Sequence, residues 1–160
     1  LVSSRGLGDV YKRQVVNKNN QLLVEESLTD IKDLRGLAVD FLDNGGGSGE
    51  EACDYCQGKR DPRSSDNPDK AIISLKNDRE TEYKIYIAVQ NELVAAYNEL
   101  RNREFSRLNP NLGISYVDAD LIYSDPRTSA DDKASLKEKL DVVKKLYPQK
   151  LSEAEPSKVN

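Results

Sequence analysis

The amino-acid order predicts an α+β fold: a small β-sheet with two amphipathic helices packed on one face, followed by a C-terminal helical extension. Three patterns lead there. Two short apolar runs flank a Lys18-Asn19-Asn20 cluster, and residues of this kind supply the positive φ angles of a tight hairpin turn. Two longer stretches carry apolar residues at three- and four-residue spacing, and a β-branched run, Ala71 to Leu75, lies between them. Each helix has a single apolar stripe that must be buried, and one sheet can take both.

The hairpin occupies Val15 to Ser27 (VVNKNNQLLVEES). Thr29 or Asp30 then caps a first helix on which Ile31, Leu34, Leu37, Ala38, Phe41 and Leu42 share a face, and Asn44 with Gly45 supplies a left-handed stop. From Gly45 to Pro68 the composition turns to Gly, Ser, Asp, Asn and Pro. So long a connection reads as a functional or mobile insertion, bounded at 45–70, that adds little core. Ala71 to Leu75 (AIISL) reads as a central strand. A long helix follows from about Thr81 to Arg107, with Tyr86, Val89, Leu93, Ala96, Tyr97 and Leu100 on one face and Glu99 set one turn from Arg103. Asn109-Pro110-Asn111 breaks it, and Leu112 to Val117 (LGISYV) reads as a further strand. Ser129 with Asp132 forms a capping box for a last helix through Tyr147, and the polar tail from Pro148 to Asn160 is expected to be disordered. The domain is thus expected over 15–117, with an extension over 118–160.

The chain has 160 residues, with 24 Lys and Arg against 28 Asp and Glu, and contains no His, Met or Trp. An acidic chain without a basic stripe offers no electrostatic footprint for nucleic acid. Without imidazole, Ser-His-Asp and Cys-His dyads and His-metal sites are unavailable, which leaves thiols, carboxylates and amines as reactive groups. An enzyme is not expected, and no catalytic residue, cofactor or metal is assigned. The lack of Met reads as a fragment of a longer protein. Ser4 to Gln14 (SRGLGDVYKRQ) reads as the conceptual translation of a transposase-type DNA sequencing adapter, so Leu1 to Gln14 is set aside as an artefactual segment. No run approaches the roughly 18 apolar residues of a membrane helix, the best being Ile85 to Val89.

The residues themselves carry a resemblance. Asn20-Gln21-Leu22-Leu23-Val24 runs into Thr29-Asp30 and a helix; AIISL is followed by Lys76-Asn77-Asp78, and Tyr83 opens the long helix. Together these resemble the periplasmic domain of the ExbD/TolR biopolymer-transport family over roughly Val15 to Val117. The block NGGGSGEEACDYCQGKRDP and the NELVAAYNELR helix are similar to the longer ExbD-like proteins of Bacteroidetes-type bacteria. The resemblance implies a single-pass inner-membrane subunit with this domain in the periplasm. Such a subunit is dimeric, works with ExbB-like and TonB-like partners, and couples the proton motive force to TonB-dependent outer-membrane transport; a TolR-like role in envelope integrity is the alternative within the family. The family's proton-relay Asp belongs to a transmembrane helix, so that role falls on no Asp of this chain. Asp78 matches a recurrent family position, and its place between a strand end and a helix start reads as a turn or cap residue.

Four further features bear on a site. Cys53-Asp54-Tyr55-Cys56 has the C-x-x-C spacing of a redox dithiol or of half a Cys₄ zinc site completed in a dimer, the alternative function from another class. In an oxidising compartment a local disulfide is the plainer reading. Asn44 to Gly49 lacks the G-K-[ST] ending of a phosphate loop and reads as a helix stop and flexible linker. Lys59-Arg60-Asp61-Pro62-Arg63 reads as a solvated mixed-charge run, and Tyr83, Tyr86 and Tyr97 as core and core-edge packing. A small open sheet also offers an unpaired edge to a TonB-like partner.

Overall fold

A computed structural model of the chain describes residues 10–154. They form two units, residues 10–96 together with 150–154, and Tyr97–Gln149. In the first, five strands make one mixed sheet: β1 (Val10–Val16), β2 (Leu22–Val24), β3 (Ser27–Thr29), β4 (Ala71–Asn77) and β5 (Leu151–Ala154), in the spatial order β3-β2-β1-β4-β5. The expected hairpin is present. β1 and β2 pair antiparallel with Val16 opposite Leu22, Asn20 takes φ 60°, and the Asn17 side-chain oxygen accepts from the amides of Asn19 and Gln21 at 3.0 Å each. A second, tighter hairpin joins β2 to β3 through Glu25 (φ 49°) and Glu26 (φ 69°), two non-glycine residues in the left-handed region that match the strand twist.

β1 pairs in parallel with β4, and β4 with β5. The strands β1, β4 and β5 therefore advance in one direction across the sheet. Right-handed crossovers then place helix α1 (Ile31–Leu42) and the first turns of α2 (Tyr83–Leu108) on the same face. The two helices are joined there by Arg35, whose Nε donates to Glu92 at 2.9 Å. The core between sheet and helices consists of Val16, Leu22, Val24, Ala71, Ile73 and Leu75 from the strands, Leu34, Ala38, Phe41 and Leu42 from α1, and Val89, Leu93 and Ala96 from α2. α1 gives way to Gly45 at φ 65°, as expected, whereas Asp30 stands at its N-cap position without a side-chain cap bond and Thr29 donates to the Ser27 carbonyl instead. Asp78 is a turn residue: its carboxylate accepts from the Glu80 amide at 3.0 Å.

Three expectations are corrected in the strands. β1 begins at Val10, inside the stretch set aside as artefactual. Its helix-facing positions include Lys12 and Gln14, register partners of Ile73 and Leu75, so no apolar alternation announces a strand. Leu112 to Val117 is not a strand. Gly113 turns at φ 66° and the Ser115 hydroxyl accepts from the Asp118 amide at 3.1 Å, which starts helix α3 (Tyr116–Ser124). The last strand is instead β5, in the tail expected to be disordered. The Ile73 amide donates to the Lys150 carbonyl at 3.0 Å, so β5 is set by the free edge of β4 rather than by its own residues. Residues 1–9 and 155–160 lie outside the described residues, and so do the expectations that fall on them.

The second unit contains the rest of α2, then α3 and α4 (Ala130–Leu146). The expected cap of α4 is observed, Ser129 Oγ accepting from the Asp132 amide at 3.2 Å. Phe105, Tyr116, Ala119, Leu140 and Val143 form its core. The Phe105 and Tyr116 rings meet edge to face at 6.3 Å. Arg103 meets Glu104 at 3.1 Å, and Arg107 closes on the other oxygen of the same buried carboxylate at 2.5 Å. The expected domain boundary at 117/118 falls inside α3, whereas the units divide between Ala96 and Tyr97.

Candidate functional site

The insertion after α1 reads as adding little core, yet it buries Cys53, Cys56 and Ser65. Cys53 and Cys56 are joined in a disulfide and are only 2% and 4% exposed. With both sulfurs in that bond, the pair presents neither a free dithiol nor thiolate ligands. Among the described residues, no group of three or more His, Cys, Asp and Glu is placed to hold a metal ion.

Three side chains fix the disulfide lobe to the end of α1. Asn44, 3% exposed, donates from Nδ2 to the carbonyls of Asp61 at 2.9 Å and Ser65 at 2.7 Å, and accepts from the Asp61 amide at 3.1 Å. Arg60 is exposed, as a mixed-charge run would be, yet its side chain folds back onto the lobe. Its guanidinium donates to the carbonyls of Gly45 (3.2 Å), Cys53 (3.1 Å) and Cys56 (2.8 Å), a fork that only Arg provides. Ser65 Oγ donates to the Phe41 carbonyl at 2.6 Å. The chain approaches closely at four glycines, Gly45, Gly46, Gly47 and Gly58. A Cβ on Gly45 would lie 2.7 Å from Cys56 Cβ, and one on Gly58 only 2.4 Å from the Asp43 carbonyl oxygen. Gly46 and Gly47 donate their amides to Ser65 and Asp66, so the glycine run is hydrogen-bonded structure and not free linker. Farther out, Lys70 meets Glu51 at 2.5 Å and holds its carboxyl below the ordinary carboxylate range.

A groove of about 620 Å³ runs beside edge strand β3 and helix α1, lined by Leu28, Thr29, Asp30, Asp33, Gly36, Leu37 and Asp40. Among the described residues β3 has a partner on one side only, as the terminal strand of the sheet. Leu28 is 69% exposed and Leu37 38% exposed. Leu37 and Asp40 also line a second cleft of about 380 Å³, bounded by Phe41 and by Gln57, Lys59, Asp61 and Ser64 of the disulfide lobe. Lys12 borders this cleft, its Nζ 5.9 Å from the Phe41 ring centroid. An extended segment laid along β3 would thus find backbone groups to pair with, apolar surface, and an acidic rim of Asp30, Asp33 and Asp40.

Of the residues singled out by sequence, Cys53 and Cys56 come together and Tyr97 is in the core, but Tyr83 is 76% exposed and does not pack as expected. Sequence reasoning missed Arg60 and the anchoring role of Asn44. It also missed β3, a three-residue strand whose only signal was Leu28 standing alone between polar neighbours. No helix among the described residues is long and apolar enough to cross a membrane. No family model matches the chain, and no curated protein or solved structure matches it.

Proposed function

We propose that the chain acts as the periplasmic part of an inner-membrane ExbD-like subunit. In this reading it couples the proton motive force to TonB-dependent outer-membrane transport, as a homodimer with ExbB-like and TonB-like partners. The observation that carries the proposal is the open edge of β3 beside the groove of α1. Unpaired amides and carbonyls along an edge strand accept an added strand, while a neighbouring groove selects its side chains. The element order agrees with the residues that carry the resemblance: hairpin, helix, strand, helix, and a last strand displaced to Leu151–Ala154 by the helical unit. Asp30, Asp33 and Asp40 favour a basic extended segment over an acidic one.

The test is an NMR titration of the ¹⁵N-labelled chain with a basic periplasmic segment of a TonB-like protein. Amide shifts concentrated at Ser27–Thr29 and along the outer face of α1, weakened by salt and by a joint Asp33→Lys, Asp40→Lys substitution, are expected. Saturating segment with no shift in β3 overturns the proposal.

A further inference from the structure

Asn44 precedes Gly45, the one Asn-Gly pair in the 160 residues. This pair is chemically exposed to deamidation. The Gly45 amide nitrogen, after giving its proton to solvent base, attacks Asn44 Cγ. The Cγ–Nδ2 bond breaks, ammonia leaves with a proton from water, and a second water opens the five-membered imide to aspartate or isoaspartate. Gly45 has no side chain to hinder the attack.

The fold opposes this reaction by holding the side chain that must turn. Both the Nδ2 and the Oδ1 of Asn44 are committed to Asp61 and Ser65, so the side chain cannot rotate its carbonyl carbon toward Gly45. Gly45 is held by Arg60 on its carbonyl, and Cys56 stands so close that a Cβ on Gly45 would meet it. Arg60 is held in turn by the carbonyls of the two disulfide-bonded cysteines. The Cys53–Cys56 bond therefore backs the Asn44-Gly45 peptide directly.

We propose that Asn44-Gly45 is a latent modification site. It is silent while the disulfide lobe is closed, and is deamidated once reduction of Cys53–Cys56 by a dithiol releases the lobe. The change runs one way. A carboxylate at position 44 would replace two donated hydrogen bonds with an anion facing the carbonyl oxygens of Asp61 and Ser65 at a buried position, so the lobe cannot close again. An episode of reduction would leave a permanent mark that reoxidation does not erase. This inference stands independently of the proposed docking edge.

The experiment follows deamidation of Asn44 by peptide mapping of the full chain in mildly alkaline buffer. Four samples are compared: native oxidised, oxidised but urea-unfolded, reduced with dithiothreitol in native buffer, and the Cys53→Ser, Cys56→Ser double variant. In the native oxidised chain the reaction is expected to be about tenfold or more slower than in the unfolded chain, since it requires local opening. The reduced chain and the double variant are expected to approach the unfolded rate, with β4 amides still protected from hydrogen exchange. The Asn44→Asp chain, oxidised, should lose exchange protection at Gly46, Gly47 and Arg60. Equal rates in native and unfolded oxidised chain overturn the proposal, as does a reduced chain that stays as protected as the oxidised one. Should the double variant fail to fold, the reduced wild-type chain decides.

Discussion

Gln14 stands opposite Leu75 in the parallel ladder between β1 and β4, on the helix-facing side of the sheet, and is 2% exposed. A polar side chain holds a place that its neighbours Val16, Val24 and Leu75 would fill with an aliphatic one. With its amide oriented to suit its surroundings, Nε2 donates to the carbonyls of Ser74 at 2.8 Å and Lys12 at 3.1 Å.

Gln14→Leu is accordingly expected to stabilise the first unit by about 1 kcal/mol, because burying an aliphatic group there is more favourable than burying an amide. Each acceptor carbonyl has a second lone pair open to the ladder, so losing the amide should leave neither without a partner. Urea denaturation of the two chains, compared at equal slope, measures the difference. A destabilised variant would show instead that Ser74 and Lys12 depend on the amide.

Arg101 is a buried cation bonded to a carbonyl and a phenol among the described residues. It donates twice to the Tyr147 carbonyl, at 3.0 and 2.8 Å, and once to the Tyr116 hydroxyl at 3.3 Å. Its guanidinium also lies 5.5 Å from the Tyr116 ring centroid and 6.0 Å from that of Tyr97. Tyr147 caps α4, so Arg101 neutralises the negative end of that helix. Arg101→Met is expected to cost roughly 2–3 kcal/mol, the penalty of leaving a buried acceptor unmet and losing the cation over two rings. Arg101→Lys should recover only part of this, since an ammonium cannot donate as a planar fork. Equal stability of the Lys and Arg chains would sink the account.

Glu153 ties β5 to α2, accepting from Gln90 Nε2 at 2.8 Å and from the Tyr86 hydroxyl. Burial first, and the Glu153 carboxylate second, push the Tyr86 pKa up from 10.0 to about 12. The phenol must keep its proton to donate. A folded-state pKa above the unfolded value means that this contribution is complete below pH 10.0 and is lost as the pH rises toward about 12. Denaturation midpoints across that range should fall more steeply for the wild-type chain than for Tyr86→Phe. Parallel curves would show that the bond does not contribute.

How much was legible depended on whether a signal was local. The first hairpin, α1 and its stop, β4, α2 and the cap of α4 all followed from turn residues, spacing and caps that act within a few positions. β1 and β5 did not. β1 buries Gln14 where an apolar residue would mark a strand, and β5 (LSEA) has little strand character of its own; both exist because β4 offers hydrogen-bonding edges on either side. The stretch LGISYV has β-branched residues but is claimed by the Ser115 cap and by burial of Tyr116. At the site, the cysteine spacing was visible. The carbonyl contacts of Arg60 were not, since nothing in a run of mixed charge tells which guanidinium will meet three carbonyls.

The position of β5 in the chain has a consequence for biosynthesis. The strand that completes the sheet is made last, after the whole of Tyr97–Gln149. While the ribosome is still translating, β4 therefore presents a bare edge to the surroundings, and the nascent first unit is an incomplete sheet of four strands. A helical unit built from near-neighbour contacts folds faster than a sheet that awaits a partner some 75 residues away along the chain, from Ile73 to Leu151. The residues of β5 thus close the sheet, and until they emerge the growing chain is most open to pairing with a neighbour on the same message.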